Sequence, residues 1–213
     1  DSVSRLTLVA GVEPAVDMLM VARATSNDQR TRHLRLLALD AASAQLRWAA
    51  GDLTRAGGDS PLLNTPTHSI VMDDTVLRAF ARANGSEAWT LPMKAGLATC
   101  NLRACLQLVG DLAVIVTTDN VMTGVDAATG IPRWSLTLQK APLGFFDLGP
   151  IIAVYDEPQA GVGVARMIDP DTGEARDFSP QCKESGVTVG VQPRTTFVRL
   201  SNDVFYVFLG RKT

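Results

Sequence analysis

Carboxylates carry the first chemical reading of this chain. In Asp169-Pro-Asp171-Thr172-Gly173-Glu174, alternate acidic side chains could converge on one hard cation such as calcium. The third ligand position is Gly173, however, and no downstream Glu closes the cage, so the same letters read better as a hairpin turn. Asp73 and Asp74 are adjacent where a strand would end, which favours a solvated turn over a general acid and base pair. His33 closes the loop SNDQRTRH and reads as solvated. His68 precedes the apolar run Ser69 to Met72, with no Ser or Cys nucleophile spaced in a recognisable motif. No catalytic, cofactor-binding or metal-binding residue is assigned.

Three cysteines are odd in number and too few to staple a small domain. Cys100 and Cys105 bracket NLRA and could bridge if the loop turns back, or remain two reduced, partly buried thiols. Cys182 stands alone. A zinc site would need His33 or His68, and neither lies near the pair in sequence. The chain has no G-x-x-x-x-G-K-[ST] phosphate loop, and AGVGVA near residue 160 lies between two β-type runs with no helix after it, so it reads as a hairpin loop.

Composition narrows the classes further. With 213 residues, 46% of them hydrophobic, the chain can fill a sizeable core. Its 20 basic and 22 acidic residues are spread along the chain and give a net charge of −2, so no basic stripe exists to neutralise phosphates, and nucleic acid is not expected as a partner. No apolar run approaches the roughly 20 residues that span a bilayer. The start, DSVSRLTLVAG, lacks an initiator Met and a signal-peptide layout, as if cut from something longer.

The elements that position these residues come from a repeat. LLALDAASAQLRW (Leu36 to Trp48) returns as MTGVDAATGIPRW (Met122 to Trp134), more loosely as VLRAFARANGSEAW (Val76 to Trp89), and in decayed form as ARMIDPDTGEARDF (Ala165 to Phe178). Trp48, Trp89, Trp134 and the equivalent Asp177 stand 41, 45 and 43 residues apart. That period, with two β-type runs before each anchor, predicts an all-β fold: a β-propeller of four-stranded antiparallel blades.

Apolar runs separated by Gly, Asp, Asn and Thr turns divide each unit into four short strands. The first unit uses Leu6 to Ala10, Met18 to Ala24, Leu34 to Asp40 and Leu46 to Ala50; the second uses Leu63 to Thr65, Ser69 to Met72, Leu77 to Ala81 and Ala88 to Leu91. The third uses Leu106 to Gly110, Leu112 to Thr117, Val121 to Val125 and Arg133 to Leu138. Leu143 to Leu148, Ile151 to Tyr155, Val164 to Ile168 and Ala175 to Phe178 make the fourth. Blades are thus expected near 4–53, 60–93, 104–140 and 142–180, with a partial fifth at 194–213, about four and a half in a single domain, 1–213, or part of one. The fifth offers only Thr195 to Ser201 and Asp203 to Gly210, an exposed edge expected to pair with a continuation of the polypeptide or a second chain.

The recurring phrase has a mechanical logic. Asp126 can accept backbone N–H bonds in the turn, Thr129 can do so through its hydroxyl, and Gly130 can take the positive φ that closes the hairpin. Trp134 can then lay its apolar face on a neighbouring unit and donate its indole N–H to a backbone carbonyl. The structural anchors expected on this reading are Asp40, Trp48, Trp89, Asp126, Thr129, Gly130, Trp134, Asp169 and Gly173.

This pattern, Ala-x-Asp-x-x-Thr-Gly-x-x-x-Trp, resembles the tryptophan-docking repeat of the pyrroloquinoline-quinone-like (quinoprotein-type) propeller family. The first unit keeps Ala38, Asp40 and Trp48 but has Ser43 and Ala44 for Thr-Gly; the second keeps Ala79, Gly85 and Trp89, with Ala81 for Asp. The fourth keeps Asp169, Thr172 and Gly173 and loses the Trp. The founding enzymes of that family hold a quinone over calcium beside a vicinal Cys-Cys pair, and no two cysteines here are adjacent. The resemblance therefore implies a non-catalytic scaffold without a cofactor, closest in type to the outer-membrane-protein assembly lipoproteins. Its partner would be a protein or peptide, or the remainder of its own propeller, in envelope assembly or sensing, and its location extracytoplasmic. The alternative is a fragment of a quinone-dependent dehydrogenase whose catalytic segments lie outside these residues. Two longer loops, Ser26 to Arg32 and Glu157 to Val162, are open to two readings, recognition surfaces or simple length drift.

Overall fold

A computed structural model describes residues 3–10, 17–25, 32–40, 42–55, 62–100, 104–140, 142, 144–147, 149, 151–155, 165–178, 195–201 and 204–209. All of the regular structure within them is β. The first sheet runs β1 (Val3–Ala10), β2 (Asp17–Thr25), β3 (Arg32–Asp40) and β4 (Leu46–Arg55), each pairing antiparallel with the next. The second is β5 (Leu62–Asn64), β6 (His68–Asp73), β7 (Val76–Ala81) and β8 (Glu87–Pro92). The third is β9 (Leu106–Val109), β10 (Leu112–Val116), β11 (Val121–Asp126) and β12 (Pro132–Thr137). A fourth follows with β13 (Gly144–Asp147), β14 (Ile152–Tyr155), β15 (Ala165–Ile168) and β16 (Ala175–Phe178), and β17 (Thr195–Ser201) pairs with β18 (Val204–Leu209) in a two-stranded sheet. These are four propeller-type blades in an unclosed series.

Three apolar clusters join consecutive blades, because sheets buried on both faces leave few polar positions in their middle strands. Leu36, Trp48 and Leu53 of blade 1 meet Val71 and Phe80 of blade 2. Ile70, Met72 and Leu77 on the opposite face of blade 2 meet Ala113, Ile115 and Val125 of blade 3. Val114, Val116 and Trp134 of blade 3 meet Phe145, Ile152 and Ile168 of blade 4. All five residues of β10 are buried, consistent with a strand sandwiched between two neighbouring sheets.

The structure extends or corrects several sequence readings. β3 begins at Arg32, so Arg32 and His33 lie in a strand paired with Thr25 and Ala24, not in a solvated loop. β4 continues to Arg55, five residues past the expected end at Ala50. Each of the three Trp-bearing hairpins carries a register shift, at Ala38/Leu39, Ala79/Phe80 and Gly124/Val125. The corresponding pairing of β15 with β16, which has no Trp, runs without one. An extra residue in one strand of a pair bends it and re-aims the next side chain. Here it sets Trp48, Trp89 and Trp134 opposite Ala38, Ala79 and Gly124.

Candidate functional site

Three of the four hairpins between the third and fourth strands are wound around one carboxylate, and in the second Ala81 stands in its place. Asp126 Oδ1 accepts from the Ala128 amide (3.1 Å), the Thr129 amide (2.9 Å) and the Thr129 hydroxyl (2.9 Å). Asp40 repeats this with Ala42 and Ser43, and Asp169 with the amides of Asp171 and Thr172, so the Asp169 to Glu174 segment is the repeat's turn. Gly85, Gly130 and Gly173 follow at φ of 73°, 74° and 71°, a region that costs a side-chain-bearing residue about 1–2 kcal/mol. Ala44 occupies the same position at φ 55°. The guanidinium of Arg133 beside Asp126, helped by Thr129 and the Ala128 amide, holds the Asp126 carboxyl down at about 2. Asp40 is likewise lowered, first by the Ser43 amide and then by its hydroxyl.

The tryptophans connect these turns in series. Trp48 Nε1 donates to Arg82 O at 2.8 Å, Trp89 Nε1 to Ala127 O at 3.3 Å and Trp134 Nε1 to Pro170 O at 2.6 Å. Each acceptor lies three residues before the left-handed glycine of the next blade. The indole rests against that glycine: a Cβ at Gly85 would stand 2.5 Å from Trp48, and one at Gly130 or Gly173 would stand 2.6 Å from Trp89 or Trp134. One glycine therefore meets two demands, a positive φ and a flat seat for the preceding blade's ring. Gly124 meets a third, because a Cβ there would run into Trp134 from the strand beside it.

Ion pairs brace the outer parts of the blades. Arg133 reaches Asp111 and Asp126, each at 2.5 Å, and its guanidinium pKa is raised chiefly by the bond to Asp126 and then by that to Asp111. Arg78 is held by Asp73 at 3.1 Å and by Glu87. Burial pulls Arg78 down, but those two carboxylates outweigh it and its pKa is raised. Asp73 is therefore a partly buried ion-pair partner, correcting the solvated-turn reading, and Asp74 takes φ 53° in the turn beyond it. The Arg78 partner was missed because it lies across the hairpin, although a basic residue five positions after an acidic one was visible in the sequence.

Cys100 and Cys105 are joined in a disulfide with Cα atoms 5.4 Å apart. They are not the vicinal pair of the quinoprotein enzymes. His68 pairs through Nδ1 with the neighbouring Thr67 hydroxyl at 2.9 Å. Cys182, the loop at 157–162, most of AGVGVA and residues 26–31 lie outside the described residues.

A groove of about 370 Å³ lies between blades 2 and 3. Leu91 and Met93 line one wall; Thr117, Thr123, Ser135 and Thr137 line the other. Lys94 belongs to the blade 2 wall and Asp119 to that of blade 3. Thr123 Oγ1 and Ser135 Oγ are 2.8 Å apart, and Thr117 donates its hydroxyl to Asp119 Oδ1 at 2.5 Å.

With this geometry in hand, the family model described as outer membrane protein assembly factor BamB matches residues 8–146. No curated protein matches the chain in sequence. The structure of BamB from Moraxella catarrhalis is similar at 14% identity and a TM-score of 0.47, over 81% of this chain and 52% of that one. The computationally designed Ika8 protein is similar at 11% identity and a TM-score of 0.58, over 95% of this chain and 64% of that one. Designed Ika4 gives 15% and 0.51, over 76% of this chain and 91% of its own. The chain thus spans about half the length of the BamB structure. At these identities the likeness bears on the fold alone, and the designed proteins carry it.

Proposed function

We propose, from the premise that this chain belongs to the family of the outer membrane protein assembly factor BamB, that it is a non-catalytic scaffold binding a protein or peptide partner in envelope protein assembly. The observation that carries this reading is the family match over residues 8–146, well over half of the chain. The geometry supports it physically. Stapled blades form a stiff support, and such supports present loops and crevices for recognition. On this reading the expected divisions near 4–53, 60–93, 104–140, 142–180 and 194–213 are blades of a single propeller or part of one. Asp40, Trp48, Trp89, Asp126, Thr129, Gly130, Trp134, Asp169 and Gly173 hold those blades together and bind no ligand. The Cys100–Cys105 disulfide supports an extracytoplasmic location, since such bonds persist where the medium is oxidising.

The test has two arms. The purified chain is titrated with pyrroloquinoline quinone and calcium while absorbance and alcohol- or sugar-dependent reduction of an artificial acceptor are followed. It is also immobilised and exposed to the purified extracytoplasmic domains of the host's outer-membrane assembly proteins. Saturable binding of an assembly protein, with no quinone uptake or turnover, is expected. Stoichiometric calcium-dependent quinone binding would install the dehydrogenase-fragment reading instead.

A further inference from the structure

The blades serve as internal controls for one another. Leu37 of β3, Arg78 of β7, Thr123 of β11 and Arg166 of β15 are equivalent, each three residues before the turn position held by Asp40, Ala81, Asp126 and Asp169, so the position is apolar in blade 1, basic in blades 2 and 4 and a hydroxyl in blade 3. Val71, paired with Arg78, belongs to the cluster shared with blade 1, and Ile115, paired with Thr123, to that shared with blade 2. Arg78 and Thr123 thus project from equivalent faces toward the preceding blade. In blade 2 the outer part of that face is occupied by the Asp73–Arg78–Glu87 network, with Arg78 also 5.4 Å from the Phe80 ring centroid. In blade 3 register makes Thr117 the counterpart of Asp73, the last residue before the turn, and Pro132 the counterpart of Glu87, which pair with Val125 and Phe80, the residues just before Asp126 and Ala81. All three charged positions have become neutral, and Thr117, Thr123 and Pro132 all line the groove.

We infer that the groove between blades 2 and 3 takes from a partner protein the side chain that blade 2 holds at this position and blade 3 lacks, an arginine presented by a peptide segment. This rests on the protein-binding reading above. The acceptors suit a guanidinium, which offers five N–H donors and no acceptor. Asp119 provides a carboxylate on the blade 3 wall; Thr123, Ser135 and Thr137 provide hydroxyl oxygens. The Thr123 and Ser135 hydroxyls share one hydrogen bond between them, so lone pairs remain for a further donor. The methylene stem has apolar walls in Leu91, Met93 and Val121, the arrangement in which a long basic side chain buries its stem and keeps its head polar. Lys94, the lining's one cation, belongs to the opposite wall and directs the guanidinium toward Asp119.

Fluorescence anisotropy tests the inference with a labelled octapeptide of alternating valine and threonine around one central arginine. The same peptide is made with citrulline, which keeps the shape and loses the charge, and with glutamate. The arginine peptide is expected to bind saturably and the citrulline peptide about tenfold or more weakly, the range for a lost charged hydrogen bond. A triple variant, Thr117→Asp, Thr123→Arg and Pro132→Glu, which rebuilds the blade 2 network in blade 3, is expected to lose binding by a similar factor. Asp119→Asn, at an exposed position, reads the same dependence should the triple variant fail to fold. Equal binding of the three peptides, unchanged binding by Asp119→Asn, or no binding of any peptide would overturn the assignment. If assembly proteins still bind the chain in that case, the groove assignment alone falls and the scaffold reading stands.

Discussion

Replacing Gly130 by Ala separates the backbone demand of the turn from the docking demand of the neighbouring ring. At φ 74° an alanine costs about 1–2 kcal/mol. Ala44, at φ 55° in the equivalent turn, shows that the hairpin itself tolerates a Cβ. At Gly130, however, the new Cβ stands 2.6 Å from Trp89 Cδ2 and Cε3, so the ring must move and strain its hydrogen bond to Ala127 O. Overpacking of this kind costs typically about 1–3 kcal/mol, for a total near 2–5 kcal/mol with the backbone term. The two contributions separate in a double-mutant cycle with Trp89→Leu, followed by denaturant unfolding and circular dichroism, which does not depend on the tryptophan removed. In the leucine background Gly130→Ala should cost only the backbone share, giving a coupling of roughly 1–3 kcal/mol. Additive effects, with coupling under about 0.5 kcal/mol, would refute the claim that the glycine is a seat for the tryptophan.

Trp134→Ala should cost roughly 3–5 kcal/mol by the same unfolding assay; a loss below about 1 kcal/mol would count against its role as a staple. Ala44→Gly relieves a left-handed alanine at an exposed position, and the unfolding midpoint should rise by an amount equivalent to about 1 kcal/mol. Asp126 is held at about 2, below its ordinary 3.8, so its contribution is complete above the ordinary value and is lost as pH falls through about 2. Arg133→Gln should flatten the wild-type decline in stability between about pH 4 and 2, and an unchanged acid limb would contradict the pairing.

The architecture was legible because a turn built on Asp, Thr and Gly at fixed spacing, complete at Asp126 to Gly130 and Asp169 to Gly173, returns in altered form in the first two units, each time with two apolar runs of strand length before it. Strand ends were not. β4 extends to Arg55 because the partner strand β3 already begins at Arg32 and pairs with it, a cross-strand cause that no local propensity encodes. The register shifts beside Trp48, Trp89 and Trp134 were equally hidden, since an extra residue in one strand leaves the letters unchanged. The direction of docking was also out of reach: Gly85, Gly130 and Gly173 advertise a positive φ, but nothing local says that the ring on each is that of the preceding blade. Asp73 misled because its partner Arg78 is a neighbour only once β6 and β7 pair. The groove was within reach in principle, because setting the repeats in columns gives Leu37, Arg78, Thr123 and Arg166, with the hydroxyl of Thr123 standing between two arginines.

Site-resolved photo-crosslinking in the producing cell tests the scaffold reading most directly. A photoreactive residue is placed singly at exposed positions on different blades, among them Leu46, Ile131, Ser135 and Glu174, and adducts are identified after irradiation. Discrete adducts with envelope assembly proteins are expected from at least one position, with Ser135 among those that react. An absence of protein adducts at every position, together with calcium-dependent quinone binding by the same chain, would contradict it.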